Sequence, residues 1–179
     1  MVPANDWRIL MSSRPAYDLS TISATIITAS DRIIAGEKQD KAGPQCARRL
    51  TEAGLGSVRT ALTPEERRAL DVTLHQSLIF GDRLVLMLGA SGFGAGNEVP
   101  EAVRGVIDVE IPGIAEQIRA HGLEHTALSS LSREVVGVTS RDSRGALVVA
   151  SPGSTGGAND TLDILIPLLG PVFSQLDEH

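Results

Sequence analysis

Four glycines in eight residues follow an apolar run in LVLMLGASGFGAGNEVPE, residues 84–101, and the chain's clearest chemistry lies there. Gly89, Gly92, Gly94 and Gly96 let the backbone take positive φ and approach a ligand closely, so the segment reads as an anion cradle. It has no lysine, arginine or threonine between Gly89 and Pro100. A phosphate held there is therefore held by backbone N–H groups. A second small-residue loop, Ser151-Pro152-Gly153-Ser154-Thr155-Gly156-Gly157, follows another apolar run. A third polar segment opens with Ser30, Asp31 and Arg32. Asp31 and Arg32 read either as ligand contacts at a strand's end or as a loop ion pair or cap. Asp40 reads as the cap of the next helix. Glu101 is either a first-turn acid favoured by the helix dipole or a ligand contact beside the glycine loop. Ser132 and Arg133 read as a solvated turn or as ligand contacts. His75, His121, His125 and His179 show no metal-ligand spacing, and Asp160 and Asp163 look like ordinary acids at a helix start.

The elements that position these residues follow from periodicity and punctuation. Residues 24–29, ATIITA, are a short β-prone run, residues 58–62 a second, and Leu84 to Leu88 has the continuous hydrophobicity of a strand covered on both faces. Residues 44–53 have helical spacing, closed by Gly54 as a C′ glycine. Thr63-Pro64-Glu65-Glu66 supplies an N-cap hydroxyl, a first-turn proline and acids, predicting a helix from Pro64 to about Phe80. Further helices are predicted from Pro100 to Val106, from Pro112 to Ala120 with Gly122 as its stop, and from about Asn159 to Leu176. Val135 to Val138 and Ala146 to Val149, separated by SRDSRG, form a candidate hairpin. The order β-α-β-α-β places the small-residue loops outside the carboxyl ends of strands, where α/β sheets bind ligands.

The chain's 179 residues fit one domain, read as 24–179, preceded by a weakly patterned extension, 1–23, whose Trp7 is expected to bury against something. With 16 basic against 22 acidic residues, and the basic ones scattered, the footprint of a nucleic-acid binder is missing. The lone Cys46 excludes an intrachain disulfide framework and reads as a small buried residue. No apolar run reaches bilayer length and no secretory pattern opens the chain, so no membrane contact and a cytoplasmic location are expected.

At the loops a resemblance becomes specific. Ser30-Asp31-Arg32 with Ala35-Gly36, Asp40 and Gly43-Pro44, then Leu84 to Gly92, Pro100-Glu101-Ala102, Pro112 to Glu116, Leu131-Ser132-Arg133 and Pro152-Gly153-Ser154 stand in an order that resembles the Mog/MoaB family of molybdenum-cofactor biosynthesis proteins. The resemblance implies a three-layer α/β sandwich with a mostly parallel central sheet, assembled as a trimer or hexamer. It implies transfer of AMP from Mg-ATP to the terminal phosphate of molybdopterin, so the implied partners are a pterin and a nucleotide, with Mg2+ between phosphates. On that basis Glu65, Asn97, Glu98 and Glu101 are the candidate catalytic residues. Glu65 and Asn97 stand at the metal positions, and Ser30, Asp31, Gly89, Ser91, Gly92, Gly94, Pro152, Gly153 and Ser154 contact the ligands. The chain departs from the family pattern at these places. Gly-Gly-Thr-Gly is here Gly89-Ala90-Ser91-Gly92, which adds a Cβ where the backbone needs positive φ. Asp-Val-Thr is Asn97-Glu98-Val99, which removes a charge from a position where a hard cation prefers carboxylate. Pro-Asp-Glu is Pro64-Glu65-Glu66, and the lysine of Pro-Gly-Ser-Pro-Lys is Gly156. The alternative to an active transferase is a catalytically impaired molybdopterin- or nucleotide-binding paralogue, acting as a carrier, regulatory or assembly module.

Overall fold

A computed structural model describes residues 16–178; Trp7 and His179, and most of the expected extension, lie outside the described residues. Six strands, β1 (Ser23–Ala29), β2 (Ser57–Thr63), β3 (Leu84–Leu88), β4 (Val109–Glu110), β5 (Val135–Val138) and β6 (Leu147–Ser151), form one sheet in the order β2-β1-β3-β6-β5-β4. β2, β1, β3 and β6 run parallel, and β5 is antiparallel to both β6 and β4. The helices are α1 (Asp31–Ile34), α2 (Ala42–Glu52), α3 (Arg67–Phe80), α4 (Val99–Arg104), α5 (Pro112–Gly122) and α6 (Thr155–Asp177).

β3 shows why the sheet must be covered twice. Its alternate side chains point to opposite faces. Leu84, Leu86 and Leu88 join a core with Cys46 and Leu50 of α2, Ile118 of α5 and Leu162 and Phe173 of α6. Val85 and Met87 join a second core with Leu70 and Leu74 of α3 and Val99 and Val103 of α4. The architecture is thus mixed α/β with helices on both sides of a six-stranded sheet. Burial raises the Cys46 thiol to about 11, as expected for an inert core residue. Ile22 is buried just before β1, and Tyr17 donates to Asp177 Oδ2 at 2.5 Å while its ring lies against Phe173.

Four local expectations are corrected. α3 is capped by Glu66, whose carboxylate accepts the N–H groups of Arg68 and Ala69 at 2.9 and 3.0 Å, and not by Thr63. Thr63 is instead the buried last residue of β2, and its carbonyl accepts the Ser30 N–H. α5 ends at Gly122 but includes it, running two residues past Ala120, and a Cβ on Gly122 would stand 2.5 Å from Ser129 Oγ. The final helix begins at Thr155, one turn earlier than periodicity suggests, because Ser154 Oγ accepts the Gly157 N–H at 3.1 Å. The segment after β1 is not all loop, since Ser30 caps the short α1.

Candidate functional site

Register brings Thr28, Leu88 and Ser151 side by side, so β1, β3 and β6 end on one edge and release their loops together. The junction demands glycine. Gly89 has φ +94°, and a Cβ there would lie 2.5 Å from the Ala29 carbonyl oxygen; a Cβ on Gly153 would lie 2.8 Å from Gly89 Cα. The next residue, Ala90, is the one non-glycine with positive φ (45°) among the described residues. The Cβ noted in the sequence therefore does sit where a glycine would be unstrained.

Arg133 fastens the glycine loop. Its Nε donates to the Gly92 carbonyl and its Nη2 to the Asn97 carbonyl, both at 2.7 Å. The same guanidinium makes a bidentate pair with Glu101 at 2.5 and 3.0 Å. Hydrogen bonding from Arg133 holds the Glu101 carboxyl below its usual range. Arg133 is thus neither a free solvated turn residue nor a free cation but a brace. Asn97 Oδ1 accepts the Gly92 N–H at 3.3 Å, and Glu98 lies 3.6 Å from the Arg67 guanidinium. Glu65 gives its backbone N–H to Asp31 Oδ1 at 3.2 Å, which ties the start of the segment after β2 to the segment after β1. Asp40 acts as expected, accepting the Gly43 N–H at 2.9 Å and the Thr28 hydroxyl at 3.0 Å.

Between the glycine loop, the Pro152 loop and the facing parts of α5 and α6 lies a cavity of about 640 Å3. Ser91, Gly92, Pro152 and Ser154, all expected ligand residues, line it. Gly153 and Ser154 border a second hollow of about 400 Å3 with Asp40, Lys38 and Lys41, so two cations stand beside a loop that has none of its own. Ser30, Asp31, Glu65, Gly89, Gly94, Asn97, Glu98 and Glu101 are not among the residues lining either hollow.

The larger cavity is also lined by Glu134 and Ser129, which the sequence did not single out, and by His125, Asp160 and Asn159, which it did not place at a site. Glu134 is 5% exposed, and its Oε2 is buried without a hydrogen-bond partner, 3.9 Å from Arg119 Nη1. Burial raises its carboxyl to about 7, against the opposing pull of Arg119 and with a further push from Asp160. Near neutrality it can either donate or accept a hydrogen bond. The signal for it was a charged residue set flush against an apolar strand. Ser132 Oγ is likewise buried and without a partner on the same wall.

These features define a three-layer α/β protein with a candidate small-ligand site at the carboxyl ends of its parallel strands. Residues 25–171 match the family described as "Probable molybdopterin binding domain", and the chain belongs to that family. It is 30% identical over 155 residues to a molybdenum cofactor biosynthesis bifunctional protein of Synechococcus elongatus, covering 87% of this chain and 47% of that one. The chain thus spans about half the length of the bifunctional relatives it matches. It is 31% identical over 148 residues to the molybdopterin adenylyltransferase of Escherichia coli, covering 81% of this chain and 74% of that one. Among solved structures, a putative molybdenum cofactor biosynthesis protein from Corynebacterium diphtheriae superposes with a TM-score of 0.80 at 33% identity, over 87% of this chain and 98% of that one.

Proposed function

We propose that this protein acts in molybdenum cofactor biosynthesis by holding molybdopterin in the cavity between the glycine loop and the Pro152 loop. The observation that carries the reading is the convergence of Ser91, Gly92, Pro152 and Ser154 on one concave surface of about 640 Å3. Such a volume suits a ligand of pterin size. Transfer of AMP from Mg-ATP is the finer step, and the donor set fits Mg2+ poorly. Asn97 is neutral and its amide oxygen accepts the Gly92 N–H, while Glu98 faces Arg67 and Glu101 is paired with Arg133. A hard cation asks for carboxylate oxygens, and of the candidate acids Glu65, Glu98 and Glu101 only Glu65 makes no ion pair with an arginine among the described residues. The geometry therefore favours a molybdopterin-binding paralogue with impaired transfer.

One observation supports the active reading, with ATP and Mg2+ as substrate. The hollow of Lys38, Lys41, Ser154 and Thr155 opens at the N-terminus of the 23-residue α6, and it offers cations to phosphate. The deciding assay follows pyrophosphate release from molybdopterin, ATP and Mg2+. The parent is expected to bind molybdopterin with little release, and the pair Ala90→Gly with Asn97→Asp is expected to raise release at least about tenfold, as restored charge stabilisation would. Rapid release by the parent would overturn the impaired reading, and absence of pterin binding would overturn the proposal itself. Among the described residues no helix is long and apolar enough to cross a membrane. A cytoplasmic setting and a homotrimer or hexamer complete the proposal.

A further inference from the structure

A group of side chains on the cavity's outer wall has no part in the reading above. His121 lies in the last turn of α5, His125 shortly after it, and Asp160 and Asp163 in the first turns of α6. His125 Nδ1 is 2.9 Å from Asp160 Oδ1, and His121 Nε2 is 3.9 Å from the same oxygen. The two imidazoles stand edge to face with centroids 5.4 Å apart. Among the described residues, His121, His125 and Asp160 are the one group of three such side chains whose ligand atoms all lie within 4.8 Å of one another. Asp163 stands 3.3 Å from His121 Nε2, but its carboxylate is held by Arg49 at 2.6 Å.

The backbone is shaped for this approach. A Cβ on Gly122 would lie 2.5 Å from Ser129 Oγ and 3.3 Å from Asp160 Oδ2, so glycine lets the end of α5 pack tightly against Ser129 with the Asp160 carboxylate close by. A second, independent observation points to a polar occupant. Glu134 Oε2 and Ser132 Oγ, both buried and without hydrogen-bond partners, line the same cavity as His125 and Asp160. Buried polar groups normally have partners, so two orphans on one wall mark a surface that contacts something polar.

We propose that His121, His125 and Asp160 bind one divalent transition-metal ion of the zinc class, leaving a coordination position on the cavity side. Two imidazoles and one carboxylate are the donor set of open zinc sites, in which three protein ligands leave a fourth position for water or another ligand. Bonds of about 2.0 to 2.1 Å in tetrahedral geometry put ligand atoms about 3.4 Å apart, so small side-chain rotations suffice. Imidazole selects zinc, nickel, copper or cobalt over magnesium. The site is therefore distinct from any magnesium bound with a nucleotide, and its occupation does not depend on molybdopterin binding.

The test uses tag-free, chelator-stripped protein titrated with Zn2+ by calorimetry and with Co2+ by visible absorption, with Mg2+ as comparison. The expected result is one saturable Zn2+ per chain and d–d bands with Co2+. His121→Gln and His125→Gln, at partly or fully exposed positions where folding is checked by circular dichroism, are each expected to weaken binding at least about 30-fold. His75→Gln, outside the cluster, is expected to bind as the parent does. Absence of saturable Zn2+ binding, or binding that survives both cluster variants unchanged, would overturn the site.

Discussion

Glu134 carries the sharpest consequence at the scale of single residues. In the unfolded chain its carboxyl titrates near 4.5, and in the folded chain burial raises it to about 7. The folded state therefore keeps a proton that the unfolded state releases as pH climbs between those values. The resulting stabilisation is fully present at and below about pH 4.5 and is lost as pH rises through 7, a swing of about 3 kcal/mol. Urea unfolding of the parent and of Glu134→Gln across pH 4.5 to 8 is expected to show the variant gaining on the parent by roughly that amount, since an amide cannot ionise. A difference that stays flat with pH would show that Arg119, and not burial, governs the group. Glu134 was hard to read from sequence because its burial is set by tertiary packing, with Arg119 of α5 and Asp160 of α6 as its charged neighbours. Ala90 was easier. A Cβ in a glycine loop signals strain by itself, and the φ of 45° bears that out.

Elements set the next level, where the loops at the ends of β3 and β6 are fixed by two devices. One is the backbone contact of Gly89 with Gly153, where a Cβ on the latter would come within 2.8 Å of its neighbour's Cα. Gly153→Ala is expected to cost about 1 to 3 kcal/mol by overpacking, read as a lower denaturant midpoint with an unchanged slope. The other is Arg133, whose guanidinium joins Gly92, Asn97 and Glu101. Arg133→Ala is expected to free the loop locally, so that amide exchange over residues 90–97 quickens at least about tenfold while β3 keeps its protection. Uniform exchange across both segments would contradict the brace. Strands β1, β2, β3, β5 and β6 were legible because short β-prone or apolar runs bounded by turn residues announce themselves. The hairpin of β5 and β6 was legible for the same reason. β4 was not, since two residues have no periodicity and its pairing rests on Gly137 and Val138. The cap of α3 was misread because Thr63 looks like a cap until β2 claims it.

Over the whole molecule the sheet is asymmetric, with the glycine and Pro152 loops crowded at one end of its parallel half and β2, paired with β1 on its inner side, having no strand on its outer side among the described residues. Large apolar side chains are exposed near it. Ile79 and Phe80 at the end of α3 are 86% and 73% exposed, Leu62 on β2 and Val72 on α3 are about half exposed, and only the Arg59 guanidinium, 3.9 Å from the ring centre, lies over Phe80. A sheet edge beside large apolar side chains is costly to leave in water and favours association. Burying two such side chains contributes about 3 to 6 kcal/mol to an interface before the losses of association are counted. Sedimentation velocity at micromolar concentration is therefore expected to give a species larger than one chain, consistent with the proposed trimer or hexamer. Ile79→Ser combined with Phe80→Ser is expected to shift it toward the monomer while leaving the circular dichroism unchanged, because neither side chain belongs to either core. If the parent sediments as a monomer, or if the double variant assembles as the parent does, this edge is not where copies of the chain meet.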